Sequence, residues 1–370
     1  MIQHKMLKPV ELEFNGRAGE YFRIWIVNIL LTILTLGVYS AWAKVRNKQY
    51  FYGNTLLDGS PFEYNASPVA ILKGRLVVVA ILATYYIVVQ FFPLSEGLFL
   101  LLFFLVLPWL VMRSLMFNAR YSAYRNLHFT FEKNLSDSVK TFIGFGLLIP
   151  LTLGLAYPFY MHAIQKYRVD NHGYGQYAFY LKSAVKAFYK YYLIALLILV
   201  LVVILAGVVM GVFFGGSMLV FTGANDPENM PDMGPSAVMS IFIMMIIYLL
   251  AYFIAFAYIK TKIFNTVWSN TTLNKASAHV LSLPTVPLMA FEGLLETKQM
   301  FFIYITNLIG IVVSMGLLIP WAKVRLAKYR IENLTVASIA DLRVITAKER
   351  EQVGTIGSEM GDILDIDIGI

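Results

Sequence analysis

The side chains best suited to chemistry are two arginines, Arg46 and Arg325, which close the same pentapeptide, Trp-Ala-Lys-Val-Arg. It sits in two stretches, TLGVYSAWAKVRNKQYFYGN (residues 35–54) and SMGLLIPWAKVRLAKYRIEN (residues 314–333), that share eight of twenty positions. A planar guanidinium grips phosphate or carboxylate with two parallel hydrogen bonds, so an inward-facing arginine would bind an anionic headgroup or solute. Trp42, Arg46, Tyr50 and Asn54 are spaced by four, as are Trp321, Arg325, Tyr329 and Asn333, so each set lies on one helical stripe. Trp and Tyr favour the headgroup level of a bilayer and Arg snorkels to it. The stripe therefore reads either as an interfacial anchor or as an anion contact.

Other candidates are weaker. Asn28 and Asn307 occupy equivalent places upstream of the two stretches, suited to helix–helix hydrogen bonding or to solute contact. FYLKSAVKAFYKYY (residues 179–192) sets Lys182, Lys186 and Lys190 on one expected helical face among aromatics, a pattern for anionic lipid. The five His, at 4, 128, 162, 172 and 279, show no metal-ligand spacing, and there is no Cys. No G-x-S-x-G, Walker or G-x-G-x-x-G string occurs. Neither an enzyme nor a metal or other cofactor is expected.

The elements that must carry these residues are membrane helices. The chain is 58% hydrophobic and 14% charged, with a mean hydropathy of +0.66, too apolar for a water-soluble core. Its +8 charge fits cytoplasmic flanks of such helices better than a nucleic-acid surface. Residues 1–23 are polar and do not read as a cleavable signal. Seven apolar stretches stand out, near residues 24–43, 76–93, 97–112, 141–163, 191–215, 237–258 and 300–322. Seven crossings would spread the basic residues almost evenly over both faces. If the first, fourth and seventh stretches enter and leave on one side, all 30 Lys and Arg fall on that side. This predicts four crossings in two hairpins with both termini cytoplasmic; seven transmembrane helices is the alternative.

The three remaining stretches belong to a repeated unit, whose middle copy is TLGLAYPFYMHAIQKYRVDN (residues 152–171). Gly37, Gly154 and Gly316 align, as do Trp42, Phe159 and Trp321, and Tyr50, Tyr167 and Tyr329; Ala163 replaces the arginine. A glycine break allows an apolar arm to turn back, so each unit is expected to be re-entrant or interfacial, against a plain kinked helix. Asn54, Asn126, Asn171, Asn270 and Asn333 are expected to close helices. Gly207, Gly211 and Gly215 form a small-residue ridge for packing within the chain or in a homo-oligomer.

The string EYF…TLG…AWAKVRNKQYFYGNT, its later WAKVR copy and the terminal DILDIDIGI resemble the YjgN-like family of bacterial inner-membrane proteins. That resemblance covers essentially the whole chain and implies a multi-pass inner-membrane protein without assigned chemistry. The expected fold is thus an all-α integral membrane protein with short cytoplasmic β-like pieces between modules. The expected divisions are repeat modules at 1–75, 119–190 and 263–339, transmembrane hairpins at 76–118 and 191–262, and a polar tail at 340–370. Repeats with broken helices are common in transporters, so binding or movement of a small anionic or amphipathic solute is the first functional expectation. A non-transporting membrane organiser that holds anionic lipid is the second, and a membrane enzyme the third.

Overall fold

A computed structural model describes residues 8–221, 235–275 and 287–339. Among these described residues, four helices are long and apolar enough to cross a membrane: Pro68–Phe91, Ser95–Tyr121, Val185–Val208 and Phe242–Ser269. They form two hairpins. The last two belong to longer helices, Val185–Phe221 and Pro235–Ser269.

The all-α expectation is wrong. The short β-like pieces do not merely connect modules; they pair into one antiparallel sheet of eleven strands. These are β1 (Lys8–Val10), β2 (Leu12–Phe14), β3 (Thr55–Leu57), β4 (Ser60–Tyr64), β5 (Ser122–Tyr124), β6 (Leu127–Phe131), β7 (His172–Tyr174), β8 (Tyr177–Leu181), β9 (Thr271–Lys275), β10 (Met289–Gly293) and β11 (Leu334–Ser338). The order runs β2 to β11 in sequence, and β1 then pairs with β11. β1 and β2 are two halves of one strand, parted only at Glu11, whose carbonyl accepts the Asp58 N–H at 2.8 Å. The two ends of the sheet are therefore consecutive in the chain, and the sheet curls into a near-barrel.

Burial explains why such short strands hold together. Each strand has two faces, and one face of every strand enters a single cluster. Leu57, Tyr124, Tyr174, Leu273, Met289 and Val336 are buried there, with Val10, Leu12, Phe62, Phe129, Phe179 and Phe291 packed around them. The ring is thus filled with side chains. At one rim the strands turn back through two-residue links whose positive φ suits tight hairpins: Asp58-Gly59, Arg125-Asn126 and Gly175 with Gln176. At the opposite rim each outgoing strand feeds a helical hairpin.

Five such hairpins leave that rim, alternating short and long. The short ones pair an arm with an exit helix: Ala18–Leu34 with Ser40–Gly53, residues 135–151 with Tyr157–Asp170, and Thr297–Val313 with Ile319–Glu332. The middle arm contains a π-helical turn at Lys140–Gly144. One tie recurs at all five bases, where the peptide N–H after the outgoing strand donates to the carbonyl that ends the returning helix. The pairs are Asn15 to Asn54, Asn65 to Tyr121, Glu132 to Asn171, Lys182 to Asn270 and Leu294 to Asn333, at 2.8–2.9 Å. Lys8 and Ser338 pair at the far rim, so the described chain enters and leaves the ring away from the helices.

Candidate functional site

The arm tips are built alike. In each, a non-glycine residue at φ near +50° precedes a glycine at φ near +90°: Leu36-Gly37, Leu153-Gly154 and Met315-Gly316. The glycine N–H reaches back to Thr32, Ile149 or Ile311 at 2.7–2.8 Å, closing the arm with a left-handed cap. The hydroxyl of Thr35, Thr152 or Ser314 then accepts the N–H of Tyr39, Ala156 or Leu318 at 2.9 Å and starts the exit helix. These hydroxyls were visible in the aligned TLG, TLG and SMG triplets, but only the geometry gives them their role. The capped tips are apolar and bare, with Leu36, Leu153 and Met315 exposed at 94–95%.

The tyrosines of the stripe are pins. Tyr50 hydroxyl accepts the Arg17 N–H at 2.7 Å and donates to the Arg17 carbonyl at 2.8 Å, tying the exit helix to the start of its arm. Tyr329 makes the same pair of bonds with Glu296, at 3.0 and 3.4 Å. Asn54, Asn171, Asn270 and Asn333 each donate Nδ2 to the carbonyl four residues back, at 2.7–2.8 Å. They close helices by side chain, without left-handed backbone. Asn126 differs, being a turn residue between β5 and β6 at φ 61°.

The two arginines part company. Arg325 Nη1 donates to Thr306 Oγ1 at 2.6 Å and Asn307 Oδ1 at 3.3 Å, with its guanidinium 5.1 Å over the Trp321 ring. Asn307 Nδ2 completes the set on the Ala322 carbonyl at 3.3 Å. Arg46 is exposed and instead bonds the Tyr39 hydroxyl at 3.0 Å, while Tyr39 stacks on half-buried Trp42. Asn28, the counterpart of Asn307, donates to Asn47 Oδ1 at 3.1 Å. Its own Oδ1 is buried without a hydrogen-bond partner. Beside it lies a cavity of about 180 Å³ between arm and exit helix.

The lysine face is not one helical face. Phe179–Leu181 belongs to β8 and the helix starts at Val185, so only Lys186 and Lys190 share a helical turn. Lys182 lies in the link; all three are exposed. Gly207 is exposed with open space where a Cβ would stand, and the surroundings of Gly211 and Gly215 lie outside the described residues.

One titratable group couples the ring to pH. His172, on β7, meets Phe131 edge-on and hydrogen-bonds the Arg168 carbonyl through Nδ1. Burial, then the Arg168 charge, pushes its pKa below 6.5, against the opposing pull of that hydrogen bond. The folded state thus binds fewer protons than the unfolded one just below pH 6.5, so stability falls as pH drops through that value. Melting in detergent is expected at lower temperature at pH 5 than at pH 7.5, with a smaller difference in His172→Gln.

A ring of strands carrying four crossing-length apolar helices and three short apolar hairpins defines a multi-pass membrane protein. The chain belongs to the DUF898 family, described as bacterial protein of unknown function, whose model matches residues 9–363. It is 34% identical over 128 residues to the inner membrane protein YjgN of Salmonella typhimurium, covering 33% of this chain and 31% of that protein. It is 31% identical over 152 residues to the YjgN of Escherichia coli O157:H7, covering 40% and 37%. The matched segments therefore span about a third of these curated relatives. No solved structure matches.

Proposed function

We propose that the protein organises lipid in the cytoplasmic leaflet of the bacterial inner membrane. In this reading four helices cross the bilayer and three arms enter the leaflet without crossing. The observation that carries it is the set of three identically capped, bare apolar tips, on arms that leave the same rim as the crossing helices. An arm of 17 residues is about 25 Å long and the Pro68–Phe91 helix of 24 residues about 36 Å. Leaving from the same rim, the arms stop roughly 10 Å short, inside a hydrocarbon layer of about 30 Å. Lys and Arg near the rim, among them Arg17, Arg23, Lys73, Arg120, Lys133, Lys186, Lys190, Lys262 and Lys298, favour anionic headgroups there. The same charges favour a cytoplasmic ring and cytoplasmic termini. The relatives' name supports the inner membrane as location.

The filled ring weighs against the transport expectation, since its aromatic interior is packing rather than a passage. The test uses the absence of native Cys. Leu36→Cys, Leu153→Cys and Met315→Cys, each carrying an environment-sensitive fluorophore in liposomes, should be quenched by acyl-chain spin-labelled lipids and ignored by aqueous iodide. Iodide quenching, or labelling by an impermeant thiol reagent from the side opposite Gly19→Cys, would sink the reading.

A further inference from the structure

The first and third arms carry the same pair of residues in two different states. In the third, Arg325 occupies the amide oxygen of Asn307, and both ends of that amide are bonded. In the first, Arg46 is drawn away to the Tyr39 hydroxyl, seven residues nearer the tip, while the third arm has Leu318 where Tyr39 stands. Asn28 Oδ1 is left without the donor that its counterpart has, at 3% residue exposure. A buried amide oxygen with no hydrogen bond has lost its water without replacement and is destabilising. Such a group in a native structure calls for a partner.

The surroundings say which partner. Asn28 lines the cavity of about 180 Å³ together with Trp25, Ile29, Ile33, Thr32 and Asn47. Two of its polar members are already engaged, Thr32 Oγ1 with the Asn28 carbonyl at 2.6 Å and Asn47 Oδ1 with Asn28 Nδ2. The opening itself is walled mostly by apolar side chains, and Asn28 Oδ1 lies just behind that wall without appreciable accessible surface, so an occupant meets it by parting the arm slightly from the exit helix. Arg46, one residue from Asn47, is exposed, and of its five guanidinium N–H groups one on Nη1 bonds the Tyr39 hydroxyl. An occupant that fits carries an N–H or O–H donor for Asn28, a phosphate for Arg46, and hydrocarbon for Trp25 and Ile33.

We propose that this cleft binds the headgroup of a phospholipid whose phosphodiester carries a terminal hydrogen-bond donor, as ethanolamine and glycerol headgroups do. The ammonium or hydroxyl donates to Asn28 Oδ1, the phosphate lies against Arg46, and an acyl chain follows the apolar wall of the arm. Tyr39 holds the site open by keeping Arg46 off Asn28; the third arm, lacking that tyrosine, is closed by its own arginine. The proposal rests on the lipid-contact reading above and gives it chemical selectivity.

The experiment counts lipids retained by the full chain, using native mass spectrometry after release from nanodiscs of phosphatidylethanolamine, phosphatidylglycerol or phosphatidylcholine. Choline has the phosphate but no N–H or O–H, so it is the matched control. Retention should favour ethanolamine and glycerol headgroups over choline by about fivefold, the worth of one net hydrogen bond. Asn28→Leu should abolish that preference. Tyr39→Phe removes only a half-buried hydroxyl, keeps the fold, and should abolish it too by letting Arg46 close onto Asn28. Soluble phosphoethanolamine added to the detergent-solubilised protein should compete weakly, since it lacks the acyl chain. Competition equal to that of the lipid would overturn the lipid assignment in favour of a soluble phosphate ester. Equal retention of ethanolamine and choline lipids by the wild-type chain would overturn the site. Failure of the fluorophores to sense acyl chains would instead overturn the leaflet reading, so the two failures are separable.

Discussion

Tyr124→Ala should lower stability by about 3–5 kcal/mol, the largest loss expected of any single side chain inside the ring. Tyr124 is buried at the centre of the cluster fed by all eleven strands, within 5.0 Å of the Phe62 ring and 6.1 Å of Tyr174. Its hydroxyl donates to the Leu57 carbonyl at 2.7 Å, and its own carbonyl accepts the Tyr174 hydroxyl at 2.9 Å. The two bonds run from β7 through β5 to β3 and so tie alternate strands across the interior. Truncation empties the volume of an aromatic ring and removes the hydroxyl bond to the Leu57 carbonyl. Tyr124→Phe keeps the volume and loses only the bond, for about 1–3 kcal/mol. Thermal unfolding in detergent distinguishes the two. Near-equal melting of the wild type and Tyr124→Ala would mean that the ring interior is not a packed core.

Gly293→Ala should destabilise by about 2–4 kcal/mol although it adds one methyl group. That methyl would stand 2.7 Å from the Asn265 Cα, so backbone would meet backbone with no flexible side chain to give way. The returning crossing helix must then retreat from β10. With it go two bonds that fasten the third arm, Asn265 Nδ2 to the Leu295 carbonyl at 2.9 Å and the Leu295 N–H to Asn265 Oδ1 at 3.0 Å. The Gly293 N–H would also lose Ser269 Oγ, at 3.2 Å. Overpacking contributes about 1–3 kcal/mol and the lost bonds the rest. Gly19→Ala is the control, because a Cβ there meets nothing within 4 Å in a helix. It should be neutral or stabilising by up to about 1 kcal/mol. Similar melting shifts for both alanines would refute the close approach at Gly293.

What the sequence made legible depends on how far each signal reaches along the chain. Apolar runs and flanking charges are local, so the four crossing-length helices were found from composition alone. Gly37, Gly154 and Gly316 stood out because their shared turn needs a backbone that side chains disfavour. Short β-like pieces between the modules were expected, but the ring they form was not. Its strands are three to five residues long, and β1 finds its partner β11 only after almost the whole chain has passed. Lys182 was misread because β-structure interrupts the helical spacing on which its alignment with Lys186 and Lys190 relied. Tyr39 and Asn47, which decide what Arg46 and Asn28 do, carry no signal of their own. Their roles exist only once the tip folds the exit helix back on its arm.

The strand parted at Glu11 has a consequence for synthesis. Its second half meets β3 within some forty residues, but its first half waits for β11, about 330 residues later, or roughly 20–60 s of translation. Throughout that interval β1 presents an unpaired edge, and such edges template aggregation. All five helical hairpins precede β11 in the chain, so they are made before it arrives to cover that edge. Completion of the ring thus requires a chain in which all five hairpins are present, and a truncated chain keeps the open edge it cannot close.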